Sequence, residues 1–221
     1  MKLRILAAMV ALAIAAGAGT VSAATLSLIG GGYVGTDLSP GFPTPKYNLS
    51  GGIDQGFAIT YLTGNVKNVT NGLSVSGPAR VTFTYLGSEA GNRNYSLLSS
   101  GAEFNNTNTG LGAVSTPITI ASGLLKFAFG TSSPAGAVGL IRNDGIAVPA
   151  DNRYAIGYSA VFNGGKSIYI YFDDIAANDR DFDDLVARAD ISAVPIPAAG
   201  LLLLGALAGL GAMARRRRNA A

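Results

Sequence analysis

Six of the 13 acidic residues crowd into one stretch: Asp173, Asp174, Asp179, Asp181, Asp183 and Asp184. Carboxylates packed this densely repel one another unless a cation or Arg180 offsets them. Hard oxygens at alternate positions suit calcium, which takes about 6–8 of them at roughly 2.3–2.6 Å, so one expectation is a Ca²⁺ ion held by these six aspartates. The other is that they cap turns and solvate a loop while Phe182 and Leu185 plug the core. Paired carboxylates also serve glycoside hydrolysis, but a crowded exposed loop is a poor place to raise the pKa of a general acid. The chain has no His and no Cys, which removes imidazole bases, thiolate nucleophiles, haem ligation, ordinary zinc sites and disulfides. These residue types point away from an enzyme, and no catalytic residue is expected.

Asp179, Asp181 and Asp183 stand at the first three alternate positions of an EF-hand loop, and Asp190 stands at the twelfth. The match fails because Asp184 occupies the place where that loop needs glycine, and strands rather than helices flank it.

The elements that must carry this segment are short, β-branched and aromatic. They are residues 24–29, 57–62, 80–86, 116–121, 124–129, 154–162, 167–172 and 185–191. Clusters such as Gly30-Gly31-Gly32, Ser39-Pro40-Gly41, Asn71-Gly72 and Asn163-Gly164-Gly165 punctuate them as turns. The clearest hairpin runs from Val161 to Tyr169 around Asn163-Gly164-Gly165, whose residues accept positive φ. Residues 92–110, rich in Asn, Ser and Thr, read as a surface loop or a short edge hairpin. With no long 3.6-residue apolar period, the expected fold of residues 24–193 is all-β, a sandwich or jelly-roll. The strand aromatics Tyr154, Tyr158, Tyr169, Tyr171 and Phe172 suit core and cross-strand packing, with a sugar-stacking platform as the alternative.

Both ends carry addresses. Residues 1–23 form a signal peptide: Lys2 and Arg4, an apolar run over 5–16, then small residues ending in Ala23. Cleavage is expected after Ala23 or Ala24. Residues 198–214 carry no charge, and at ~1.5 Å per residue they span about 25 Å, enough to cross a thin hydrocarbon core as a single transmembrane helix. Arg215, Arg216, Arg217 and Arg218 follow at once and act as a membrane stop, holding that end in the cytoplasm while the middle is exported. Six of the 16 Lys and Arg residues lie in these ends, so the stretch between them sets 10 cations against all 13 acids. The formal net charge of +3 therefore gives no reason to expect a nucleic-acid partner.

Val194-Pro195-Ile196-Pro197-Ala198-Ala199-Gly200, a short Leu/Ala/Gly helix and the Arg cluster together resemble the PEP-CTERM class of bacterial sorting signals, in the variant usually written VPLPA. Ile196 departs conservatively from the usual Leu, and the main form of the signal has Glu there. The resemblance implies an exosortase-type membrane protease as partner, transient residence in the inner membrane, and delivery to the cell surface or extracellular matrix in company with exopolysaccharide. Pro195 and Pro197 keep the segment extended, as a protease cleft requires. The aspartate segment, Phe172-Asp173-Asp174 followed by Asp179-Arg180-Asp181-Phe182-Asp183-Asp184-Leu185-Val186, is similar to a motif of DUF4114-type exported domains, which implies a β fold and a calcium-stabilised loop. The expected organisation is a signal peptide over 1–23, a β domain over 24–193 and a sorting signal over 194–218. The expected role is non-enzymatic, structural or adhesive; the alternative is a carbohydrate-binding module for extracellular polysaccharide.

Overall fold

The computed structural model of the chain describes residues 23–29, 33–35, 59–63, 72–88, 90, 92–98, 101–133, 136–144, 147–148, 154–174, 182–194, 205–212 and 215–216. Residues Ala23–Ala193 form one compact unit. Its described strands are all paired antiparallel, in three sheets. The first contains β1 (Leu26–Ile29), β4 (Gly72–Val75) and β9 (Gly123–Leu124) in the order β1-β4-β9. The second contains β6 (Arg93–Leu98), β7 (Gly101–Asn105), β10 (Phe127–Ser133), β11 (Gly136–Arg142) and β12 (Ala147–Val148), ordered β12-β11-β10-β6-β7. The third contains β2 (Tyr33–Gly35), β3 (Ile59–Thr63), β5 (Ala79–Gly87), β8 (Ile118–Ile120), β13 (Ala155–Tyr158), β14 (Ser167–Asp173) and β15 (Leu185–Ala193), ordered β2-β3-β13-β14-β15-β5-β8.

Alternation explains most of this. In β5, Val81, Phe83 and Tyr85 are buried while Thr82 and Thr84 between them are half-buried, as a two-residue period demands. β14 contributes Ile168, Ile170 and Phe172 to the core, and β15 contributes Leu185, Ala189 and Ile191. Across the sheets Phe129 of β10 stacks on Phe172 of β14 with ring centroids 5.5 Å apart. Phe83 of β5 meets Phe127 of β10 edge-on at 5.5 Å. Leu26, Leu73 and Val75 of the three-stranded sheet belong to the same core. The expected hairpin turn is present: Phe162 bridges Ser167, and Asn163, Gly164 and Gly165 take φ of 52°, 64° and 86°.

One sequence expectation changes. Gly72 is the first residue of β4 rather than a turn residue, and its backbone runs so close to Asn143 that an added Cβ would clash with the Asn143 backbone carbonyl. Of the two readings of residues 92–110, the edge hairpin holds: β6 pairs antiparallel with β7, which is the edge strand, while β6 lies inside the sheet between β10 and β7. Their Asn and Ser content hides the strands because Asn94 and Ser96 point inward and are buried.

Candidate functional site

β14 ends on Asp173 and β15 begins just after Asp184. The pairing Phe172↔Leu185 therefore brings Asp173 and Asp174 beside Asp183 and Asp184 at one end of the strand pair. Asp173, Asp174 and Asp183 are buried and Asp184 is half-buried, so this is no solvated loop at its described ends. The backbone N–H of Asp174 donates to Asp184 Oδ2 at 2.6 Å, which ties the two ends together. β6 reaches across from the five-stranded sheet. Asn94 Nδ2 donates to Asp174 Oδ2 at 2.8 Å and to the Asp184 carbonyl at 3.2 Å. Asn92 Nδ2 spans both Asp174 oxygens at 3.2 Å each. Asn106, just past β7, holds this pair in turn: its Oδ1 accepts the Asn94 N–H at 3.0 Å and its Nδ2 donates to the Asn92 carbonyl at 2.7 Å. Ser88 closes the ring by donating to the Asp184 carbonyl at 2.5 Å.

Phe182 is buried with φ of 56°, a left-handed backbone that costs a bulky residue strain and is held here by its burial. Leu185 joins the core beside it in the chain. The carboxylate of Asp174 thus accepts hydrogen bonds from amides that belong to another sheet. Asp179 and Asp181, the other two expected metal ligands, lie outside the described residues. Among the described residues no group of three or more His, Cys, Asp or Glu side chains is disposed to hold a metal ion. One feature does suit a cation: Asn94 is buried, and its Oδ1 has no hydrogen-bond partner.

A second buried amide organises the core. Asn143 Nδ2 donates to the carbonyls of Leu73 and Leu125, both at 2.8 Å. Its Oδ1 accepts the Leu73 N–H at 2.8 Å and the Tyr158 hydroxyl at 2.6 Å. All four hydrogen-bonding positions of the side chain are filled. It joins the three-stranded sheet, the segment leading into β10, and β13 of the seven-stranded sheet. Burial first, and the Asp144 carboxylate second, raise the Tyr158 hydroxyl well above the usual tyrosine pKa. Burial likewise raises Tyr171, with Tyr169 adding to the shift.

The strand aromatics divide. Tyr154, Tyr158, Tyr171 and Phe172 are fully buried and offer no ring to a ligand. Tyr169 is half-buried and pairs with exposed Phe162, centroids 4.9 Å apart and planes tilted by 30°. A small recess of about 200 Å³ shares Asn94 with the acidic joint and is otherwise lined by Arg93, Tyr95, Asn105, Asn108 and Ser132 among others. It brings no acid pair together.

Of the expected processing residues, Ala23 is exposed while Ala24 belongs to the core, and Thr25 donates its N–H to Ser76 Oγ at 2.9 Å. Val194 is half-buried just after β15, whereas Pro195, Ile196, Pro197 and Ala198 lie outside the described residues, as does the signal segment before Ala23. Residues 205–212 are helical and exposed, as are Arg215 and Arg216; Arg217 and Arg218 are not among the described residues. Among the described residues no helix is long and apolar enough to cross a membrane.

Sequence reasoning passed over Asn143, and met Asn92, Asn94 and Asn106 only within the Asn-rich stretch 92–110. Their partners are remote in sequence, so no local pattern marks them. No family model, no curated protein and no solved structure matches the chain.

Proposed function

We propose that this chain is an exported, non-enzymatic protein of the cell surface or extracellular matrix, whose β domain is a structural or adhesive module. Three antiparallel sheets sharing one core suit a β-sandwich. The observation that carries the reading is the use made of the acidic segment. The dense acidic cluster serves as a joint, with the Asp174 carboxylate and the Asp184 carbonyl both accepting from Asn94 and so tying β14 and β15 to β6. A general acid or nucleophile must meet a substrate; these carboxylates meet Asn amides and backbone.

Export and sorting rest on the sequence of the two ends. Burial of Ala24 adds a physical preference, since cleavage after Ala23 keeps this core residue and cleavage after Ala24 removes it. The tail then engages an exosortase-type protease at Val194 to Ala198. Intact mass of the surface-released protein tests this: a species starting at Ala24 and lacking Arg215 to Arg218 is expected, and a mass that retains the Arg cluster overturns the sorting reading.

A calcium ion on the Asp173–Asp184 segment belongs to the same reading. Asp174 already accepts from two amides, so the ion draws on Asp179, Asp181 and Asp183, and the unpartnered Oδ1 of Asn94 is an oxygen suited to it. A second reading, binding of extracellular polysaccharide, is favoured by the solvent-facing Phe162–Tyr169 ring pair.

A further inference from the structure

The outer face of the seven-stranded sheet is uneven in charge. Registered pairs set Tyr169 beside Arg188 and Arg188 beside Thr84 in one row, Ser167, Asp190 and Thr82 in the next, and Ser192 beside Arg80 beyond. Side chains of paired residues share a face, so Tyr169, Arg188, Asp190 and Arg80 lie on one side of the sheet. Phe162 packs its ring on Tyr169 there, and Lys166 is exposed in the turn between them. Among the described residues the face thus sets Arg80 and Arg188 against Asp190, with Lys166 exposed in the turn at its end. Residues 24–194 as a whole carry more acids than bases, and their densest acidic cluster lies at the other end of β14 and β15. Cations have been gathered where the rings are.

Arg188 donates through Nε to Asp190 Oδ2 at 2.7 Å, and both side chains stay about 30% exposed. That bond fixes the plane of a guanidinium that remains in reach of solvent. Arg80 lies one strand across and four residues along from Arg188, a diagonal of about 14 Å, the length of roughly three sugar units.

Resting on the polysaccharide reading above, we infer that this face binds an acidic polysaccharide: Phe162 and Tyr169 take the apolar C–H side of a pyranose ring, and Arg188, Arg80 and Lys166 take uronate carboxylates. Ring stacking reads the sugar and the cations read its acidity. Neutral glucans satisfy only the first, and acidic polypeptides only the second.

The test measures equilibrium binding of the full chain, in mild detergent, to immobilised polygalacturonate, dextran and polyglutamate. Polygalacturonate is expected to bind, with dextran and polyglutamate at least roughly tenfold weaker. Phe162→Ala is expected to lower affinity for polygalacturonate about three- to tenfold. The exposed pair Arg80→Gln with Lys166→Gln is expected to lower it on the order of fivefold and to flatten its salt dependence. An unchanged melting transition shows that each variant is folded. Equal binding of polyglutamate, equal binding of dextran, or no binding of polygalacturonate each overturns the inference. Binding of polygalacturonate that survives both sets of substitutions overturns this face while leaving polysaccharide binding in place. None of these outcomes touches the export reading, which stands on the mass of the released protein.

Discussion

Replacing Asp174 by Asn exchanges a carboxylate for an amide of the same shape, and the joint between the two large sheets should weaken by a calculable amount. Asn94 Nδ2 lies 2.8 Å from Asp174 Oδ2, a charge-assisted bond of about 1.5–3 kcal/mol when buried. Asn92 spreads one donor over both oxygens at 3.2 Å, a weaker contact worth about 0.5–1 kcal/mol. In Asp174→Asn one amide must face another N–H group, so the loss is about 2–4 kcal/mol. The Asp174 N–H to Asp184 Oδ2 bond is untouched, which confines the change to the inter-sheet contact. With a urea m-value of about 2 kcal/mol/M, the midpoint falls by roughly 1–2 M. The assay is urea unfolding of the full chain in mild detergent with a calcium chelator, followed by tyrosine emission because the chain has no Trp. Asn94→Ala, alone and combined with Asp174→Asn, completes a double-mutant cycle whose coupling should be about 1–2 kcal/mol. A loss below about 0.5 kcal/mol with no coupling would refute the joint and return these residues to the role of a solvated loop.

Three further outcomes are expected. Asn143→Leu strands the Leu73 N–H and the Tyr158 hydroxyl in the core and costs about 3–5 kcal/mol by denaturant titration, and a cost under about 1 kcal/mol removes Asn143 from the role of inter-sheet tie. Tyr158 and Tyr171 have raised pKa values when folded, so the unfolded chain loses their protons first. Their contribution is intact below pH ~10 and declines as pH rises above it, by about 2.7 kcal/mol per pH unit for the pair; Tyr171→Phe should halve that slope, and an unchanged slope contradicts the assignment. Calcium at 100 times its Kd should add about 2.7 kcal/mol of stability to the native chain and little to a variant carrying Asp179→Asn and Asp181→Asn; absence of both heat and melting shift ends the calcium reading.

What the sequence disclosed and what it concealed follow one physical division. The strands β5, β14 and β15 were legible because alternation is local: Val81, Phe83 and Tyr85 announce a buried face within five residues. The hairpin turn was legible for the same reason, since Asn163, Gly164 and Gly165 are types that accept positive φ wherever they stand. The buried ends of the acidic segment were not, because an aspartate run looks alike whether water or another sheet faces it. Asn94 finds Asp174 at a separation of 80 residues, and Asn143 finds Leu73 at 70. Neither amide has a preferred local geometry that reveals such a partner. Their bonds gain strength only after the sheets have closed and water is gone, so they depend on the core that conceals them.

The absence of cysteine gives these amides added weight. Exported domains commonly staple remote strands with disulfides, and this chain has no cysteine to form one. Asn143 ties sheets together across the core, and Asn94 does so at the acidic end. A disulfide restrains the unfolded chain and survives local opening. A buried amide does neither, and its bonds lapse once water enters. The acidic end is therefore where sheet separation should begin, because Asp174 and Asp184 gain favourable hydration on exposure whereas Phe129 and Phe172 at the stacked centre lose burial. An ion bound to that segment would act on this weakest seam. Under the proposed reading, calcium outside the cell would serve as the staple that the sequence lacks, stabilising the domain only once it is exported to a place where the ion is abundant.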